Sequence, residues 1–212
     1  MYDNLIETVE KIDTEKDTMT YSQDKSFLSD YQALYLQNND MVGWIKIEDT
    51  KINYPVMQSK DNPNFYLKHG FDKAYTDYGC PYIQENCDVD IPSDNLIIYG
   101  HNMKNNTMFG SLPKYSKQEY YEEHSVLYLL TPKQNYKVKL IAGYVTPSDS
   151  KVYEFEKTKE ERSGLLKTAL DNSLFTSGTT VSDEDRLLTL STCSYEYDNA
   201  RFVLTGVLEE IG

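Results

Sequence analysis

Three side chains in this sequence could, if brought together, attack and cleave an amide. Cys193 closes the run Arg186-Leu-Leu-Thr-Leu-Ser-Thr-Cys193. A cysteine thiolate is a strong nucleophile, far stronger than the neutral thiol. Alternation along a strand places Leu188 and Leu190 on one face and Thr189, Ser191 and Cys193 on the other. A free cysteine most often serves as a small buried hydrophobe, so Cys193 needs partners before it means chemistry. His101 directly follows the apolar run Asn95-Leu-Ile-Ile-Tyr-Gly100. A strand end gives a catalytic imidazole rigid support and an open side. The other histidines differ: His69 falls in a loop and His124 at a helix end, where both read as solvated. Arg201 opens the last apolar run, eight residues after Cys193. If residues 195–200 form a hairpin loop, Arg201 and Cys193 meet at neighbouring strand ends. An arginine stays charged at working pH and offers a planar fork of donors. Beside a thiolate it favours ionisation and can hold a developing oxyanion.

These residues need a scaffold of strands. Short β-rich runs separated by Asn, Asp, Gly and Pro occupy residues 42–47, 54–58, 81–84, 95–99, 126–130, 136–145, 186–192 and 201–208. Eight such runs predict a β-barrel or sandwich. Helical patterns interrupt them at residues 108–123 and 157–170, the second with Leu165, Leu166 and Ala169 on one face. Residues 1–39 are polar and helix-like. Leu5, Ile6, Val9 and Ile12 recur at helical spacing, as do Phe27, Leu28, Tyr31, Leu34 and Tyr35, with Ser26 as an N-cap for the second helix. Short helices cannot fold alone. Residues 1–39 are therefore expected as a helical layer packed on a catalytic body at 40–212.

Composition narrows the partners. The chain has 212 residues and a formal charge of 21 − 34 = −13. That suits one domain with a decoration and disfavours nucleic acid and anionic lipid, which attract basic surfaces. The 19 tyrosines suit half-buried strand positions or contact with a peptide or glycan. The three cysteines, Cys80, Cys87 and Cys193, leave at least one thiol unpaired and lack the spacing of a metal site. No run of about 18 apolar residues would span a membrane, and no signal peptide is visible.

The motif Thr189-Leu-Ser-Thr-Cys193, the downstream Arg201 and the segment Tyr99-Gly-His-Asn102 together resemble the sortases, with His, Cys and Arg in the family's order. Val42-Gly-Trp-Ile-Lys-Ile, Tyr54-Pro-Val-Met-Gln and the segment from Asp61 to Leu67 are similar to the early strands of class B sortases. Ser194 departs from that pattern, in which an acidic residue can follow the cysteine.

The resemblance implies a mostly β fold: a closed eight-stranded β-barrel with peripheral helices, two at the N-terminus and one before the Cys-bearing strand. It implies a cysteine transpeptidase in which Cys193 is the nucleophile, His101 the acid/base group and Arg201 the oxyanion cation. Leu67, Tyr99, Ser191 and Thr192 are the expected substrate contacts, with no cofactor and no metal. The expected substrates are secreted proteins with a C-terminal sorting signal of the Asn-Pro-x-Thr-x or Leu-Pro-x-Thr-Gly type. The expected acceptor is an amine of peptidoglycan or of a pilin-type partner. The enzyme would face the cell wall, membrane-anchored through an N-terminal segment absent here. Two other classes remain open on the residues alone. A papain-like hydrolase would carry its cysteine on a helix and orient its histidine with Asn or Asp. A surface-binding barrel would leave Cys193 inert.

Overall fold

The computed structural model describes Tyr2, Asn4, Leu5, residues 34–155 and residues 158–211. Among them eight strands close a barrel in the order β1-β2-β3-β4-β7-β8-β6-β5. They are β1 (Met41–Lys46), β2 (Asn53–Met57), β3 (Tyr82–Ile83), β4 (Asn95–Tyr99), β5 (Val126–Leu130), β6 (Asn135–Pro147), β7 (Leu187–Cys193) and β8 (Ala200–Ile211). β5 returns to β1 and completes the ring. Only β2–β3 and β4–β7 pair in parallel. All eight expected strands are present, and β6 and β8 run longer than their apolar cores suggested. Their extensions pair with each other from Asn135–Ile211 to Pro147–Ala200, so partner strands sustain what hydrophobicity alone did not mark.

Alternating residues fill the barrel. Ile45, Val56, Ile97, Leu127, Leu129, Val138, Leu140, Leu188, Leu190 and Leu204 share one buried cluster. Outside the barrel, helix α2 (Lys159–Asn172) begins with a capping box, Thr158 with Glu161. It packs Leu165, Leu166 and Ala169 against Ile141, Val203 and Val207. This is the expected helix before the Cys-bearing strand. The pattern at residues 108–123 is not one helix. It resolves into a 3-10 turn at Leu112–Ser116 and the short helix α1 (Gln118–Glu123). Pro113 interrupts the hydrogen-bond ladder, and Met108 sits at φ +52°, outside any right-handed helix.

At the other end of the chain, Leu5 and Leu34 are buried with Met41, Trp44, Tyr66 and Phe71. The N-terminal layer therefore reaches β1 and the segment after β2. Tyr35, next to Leu34, is exposed; Ile6, Val9, Ile12, Phe27, Leu28, Tyr31 and the Ser26 cap lie outside the described residues.

Candidate active site

β4, β7 and β8 bring the three candidate residues together. β4 and β7 run parallel, with Tyr99 beside Ser191. β7 and β8 run antiparallel, and their register sets Cys193 directly opposite Arg201. The pairing expected of a hairpin across residues 195–200 is thus what forms. His101 sits just past the end of β4, and three bonds stitch its neighbours to the cysteine strand. The Gly100 amide donates to the Ser191 carbonyl at 3.1 Å. The Thr192 hydroxyl donates to the Gly100 carbonyl at 2.7 Å. The Asn102 side-chain amide donates to the Cys193 carbonyl at 2.8 Å. Gly100 leaves room for Phe109, whose ring would lie 2.6 Å from any Cβ there. Phe109 in turn donates its amide to the His101 carbonyl at 2.9 Å. Backbone on both sides of His101 is therefore fixed relative to the thiol.

The imidazole has its own anchor. His101 Nε2 lies 2.7 Å from the Leu67 carbonyl oxygen. A carbonyl can only accept, so Nε2 carries a proton. Among the described residues no carboxylate bonds the ring. The Asp77 carboxyl lies within electrostatic range, but it is lowered chiefly by its hydrogen bond to Lys68 and only lastly by His101. His69 and His124 are not the solvated groups expected. Both are half-buried and stack on aromatic rings, His69 on Phe65 at 3.9 Å and His124 on Tyr120 at 4.2 Å. Each ring also bonds the carbonyl four residues before it, which leaves both as structural side chains.

A wall of tyrosines flanks the thiol. Tyr99 leans on Tyr82 and stacks on Tyr153, with ring centroids 5.5 and 5.9 Å apart. The Tyr99 hydroxyl donates to Gln84. Tyr153 shares a 2.9 Å hydrogen bond with the Ser191 hydroxyl. Burial pushes the Tyr82 phenol up to about 12, and burial raises Tyr153 and Tyr99 as well. These rings stay neutral at working pH, so the positive charge of Arg201 meets no phenolate. Cys193 and Arg201 both lie within the electrostatic reach of Tyr82 and Tyr153.

The four expected substrate contacts are distributed unevenly. Leu67 presents a side chain 37% exposed, and its carbonyl holds His101. Tyr99 is half-buried in the wall. Ser191 and Thr192 are buried, with hydroxyls engaged by Tyr153 and Gly100. The polar strip on β7 is thus covered rather than open, and it reaches the surface only at Cys193. Sequence reasoning missed Tyr153 and the side-chain role of Asn102. Tyr153 lies between β6 and α2 with no local signal; only the fold carries it to Ser191.

No disulfide forms: all three cysteines are free. Cys80 and Cys87 are buried, and burial pushes their thiols up to about 12 and about 11. Cys193 alone is partly open. Iodoacetamide at neutral pH should therefore label Cys193 first, at least about tenfold faster than either other thiol. Peptide mapping of the alkylated protein checks this, and comparable labelling of Cys80 or Cys87 would contradict it. Among the described residues no group of three or more His, Cys, Asp or Glu could hold a metal ion, and no helix is long and apolar enough to cross a membrane.

Comparison with known proteins identifies the family and the fold. The sortase domain family model matches residues 45–209. Sortase B of Listeria monocytogenes is 36% identical over 197 residues, covering 91% of this chain and 79% of that protein. Sortase B of Staphylococcus aureus is 32% identical over 169 residues, covering 79% of this chain and 68% of that one. Among solved structures, a Staphylococcus aureus sortase B–substrate complex superposes with a TM-score of 0.89 at 25% identity, covering 99% of this chain and 95% of that chain. A Bacillus anthracis protein similar to sortase B gives 0.83 at 32% identity, covering 100% and 98%.

Proposed function

The chain belongs to the sortase family, with class B relatives, and is a transpeptidase of the sortase B type; from that we propose that it cleaves a C-terminal sorting signal after threonine at Cys193 and transfers the acyl part to a cell-wall amine. The observation that carries this reading is the Cys193–Arg201 cross-strand pair, with His101 stitched to the same strand end. A papain-like arrangement is disfavoured, because the cysteine ends a strand of a closed barrel. An inert binding barrel would have no need to set an arginine opposite its one partly open thiol.

Cys193, as thiolate, attacks the threonine carbonyl and forms a carbon–sulfur bond. The oxygen takes the negative charge, and the Arg201 guanidinium stabilises it. His101, as imidazolium, gives a proton to the leaving nitrogen while the carbon–nitrogen bond breaks, which leaves a thioester. An incoming amine then attacks the thioester, neutral His101 takes its surplus proton, and the thiolate departs. A sortase B structure solved in complex with triglycine supports an oligoglycine amine as acceptor. A Staphylococcus aureus relative was solved as a substrate complex; in this chain the partly exposed Leu67 and the tyrosine wall are the proposed bed for the peptide. Secreted proteins bearing the signal are the proposed partners, and the cell surface is the proposed site of action. The test is product analysis: a peptide containing Asn-Pro-x-Thr-x, mixed with triglycine, should yield a new amide joined at threonine. Cleavage at another bond, or hydrolysis at a rate indifferent to the amine, would overturn the transfer reading.

A further inference from the structure

We propose that Gly79 is a positioning residue: with Tyr2 behind it, it braces the Leu67 carbonyl that holds His101 by Nε2, and so makes Nδ1 the nitrogen that carries the working proton. This rests on the reading of His101 as the acid/base group. Leu67 ends the 3-10 turn Phe65–Leu67, inside the connection between β2 and β3. A carbonyl in such a loop is ordinarily mobile, and a mobile acceptor cannot fix an imidazole. Here the turn is braced. Tyr66 is 1% exposed. Its hydroxyl accepts from the Asn38 amide at 2.9 Å and donates to Asp40 at 2.7 Å, and Lys73 pairs with that carboxylate at 2.9 Å. The Tyr66 carbonyl accepts from the Cys80 amide at 2.9 Å.

Gly79 is the close contact in this frame. Its φ is +58°, a conformation that glycine adopts without steric cost. A Cβ there would sit 2.6 Å from both the Tyr66 and the Leu67 carbonyl oxygens. The glycine backbone therefore lies flat against the carbonyl that holds His101. From the other side, the Tyr2 hydroxyl donates to the Gly79 carbonyl at 2.5 Å. The chain of contacts runs from the N-terminal layer through Gly79 and Leu67 to the catalytic ring. Since Nε2 is committed to Leu67, Nδ1 is the lone pair of the neutral ring and the free N–H donor of the charged one.

The test reads the ring directly. In enzyme with 15N-labelled histidine, the neutral His101 ring should be the Nε2–H tautomer, its signal assigned by its loss in His101→Gln. Gly79→Ala should shift the population toward Nδ1–H and lower turnover per folded molecule by about ten- to a hundredfold, the scale of a small misplacement of a reacting group. Tyr2→Phe removes one hydroxyl with little risk to folding and should move both readouts the same way, with turnover down about two- to threefold. Gly43→Ala is the control, because a Cβ there would lie 2.7 Å from the Leu130 carbonyl and meets neither Leu67 nor His101. It should lose stability with both readouts unchanged. An unaltered tautomer in Tyr2→Phe and in any folded Gly79→Ala would overturn the brace. A shifted tautomer with unchanged turnover would leave the brace standing and overturn Nδ1 as the working nitrogen. If the reading of His101 itself were wrong, His101→Gln would keep its turnover whatever the tautomer shows.

Discussion

Cys193→Ala loses cleavage of a sorting peptide by a factor on the order of 10⁴ or more, the scale of a deleted nucleophile, and keeps its fold. The fold survives because the site is built through the backbone at this position. The Asn102 amide bonds the Cys193 carbonyl, and the cross-strand pair with Arg201 is a main-chain register. Neither needs the sulfur, and the side chain is only partly buried, so the cavity left by alanine is small. Thermal melting and peptide turnover, measured on the same preparation, separate the two effects. Turnover retained in a folded Cys193→Ala protein would remove the nucleophile from Cys193. Equal loss of melting temperature and activity would instead make Cys193 a packing residue.

Arg201→Ala lowers turnover by about 10²- to 10³-fold, the cost of one lost oxyanion donor, and Arg201→Lys recovers only a small part. Lysine keeps a positive charge beside the thiol but loses the planar fork that can aim two hydrogen bonds. The guanidinium already donates one bond to the Ala200 carbonyl at 3.0 Å, which tethers it at the strand end and leaves its other donors for a ligand; a lysine ammonium lacks that planar fork. The pH dependence distinguishes two roles. If Arg201 served only to ionise the thiol, alkaline pH would restore both variants as thiolate forms. If it binds the oxyanion, alkylation of Cys193 recovers with pH while peptide turnover does not. Parallel profiles of alkylation and turnover decide this. Recovery of Arg201→Ala turnover in step with alkylation would contradict the oxyanion role.

The strands were legible because each carries a local signal, and the proposed Cys193, His101 and Arg201 stood out by their places at strand ends. Apolar runs of strand length marked all eight strands, and the short loop between Cys193 and Arg201 fixed their pairing. What escaped depends on contacts across the chain. Leu67 was expected as a substrate contact; that its carbonyl, 34 residues from His101, holds the ring was not legible. No residue type signals a carbonyl acceptor, because every residue has one. Tyr153 looks like any strand-flanking tyrosine until the barrel brings it to Ser191, 38 residues on. The helical pattern at 108–123 failed for a local reason: Gly110 and Pro113 lie within the apolar periodicity, Pro113 sits at the start of a 3-10 turn, and extended backbone at Lys117 parts that turn from α1. His69 and His124 were read as solvated because neither sequence neighbourhood reveals the stacked ring above each imidazole.

The proposed mechanism passes through a thioester on Cys193, which intact-protein mass measurement detects in enzyme quenched in acid during turnover of a sorting peptide without amine. Without an acceptor the second step slows, so the acyl-enzyme should accumulate. The expected result is a mass gain equal to the peptide fragment ending at threonine, mapped to Cys193, absent from Cys193→Ala and cleared on adding triglycine. Continued peptide cleavage with no such adduct under any quench, or an adduct carried by Cys80 or Cys87, would contradict it.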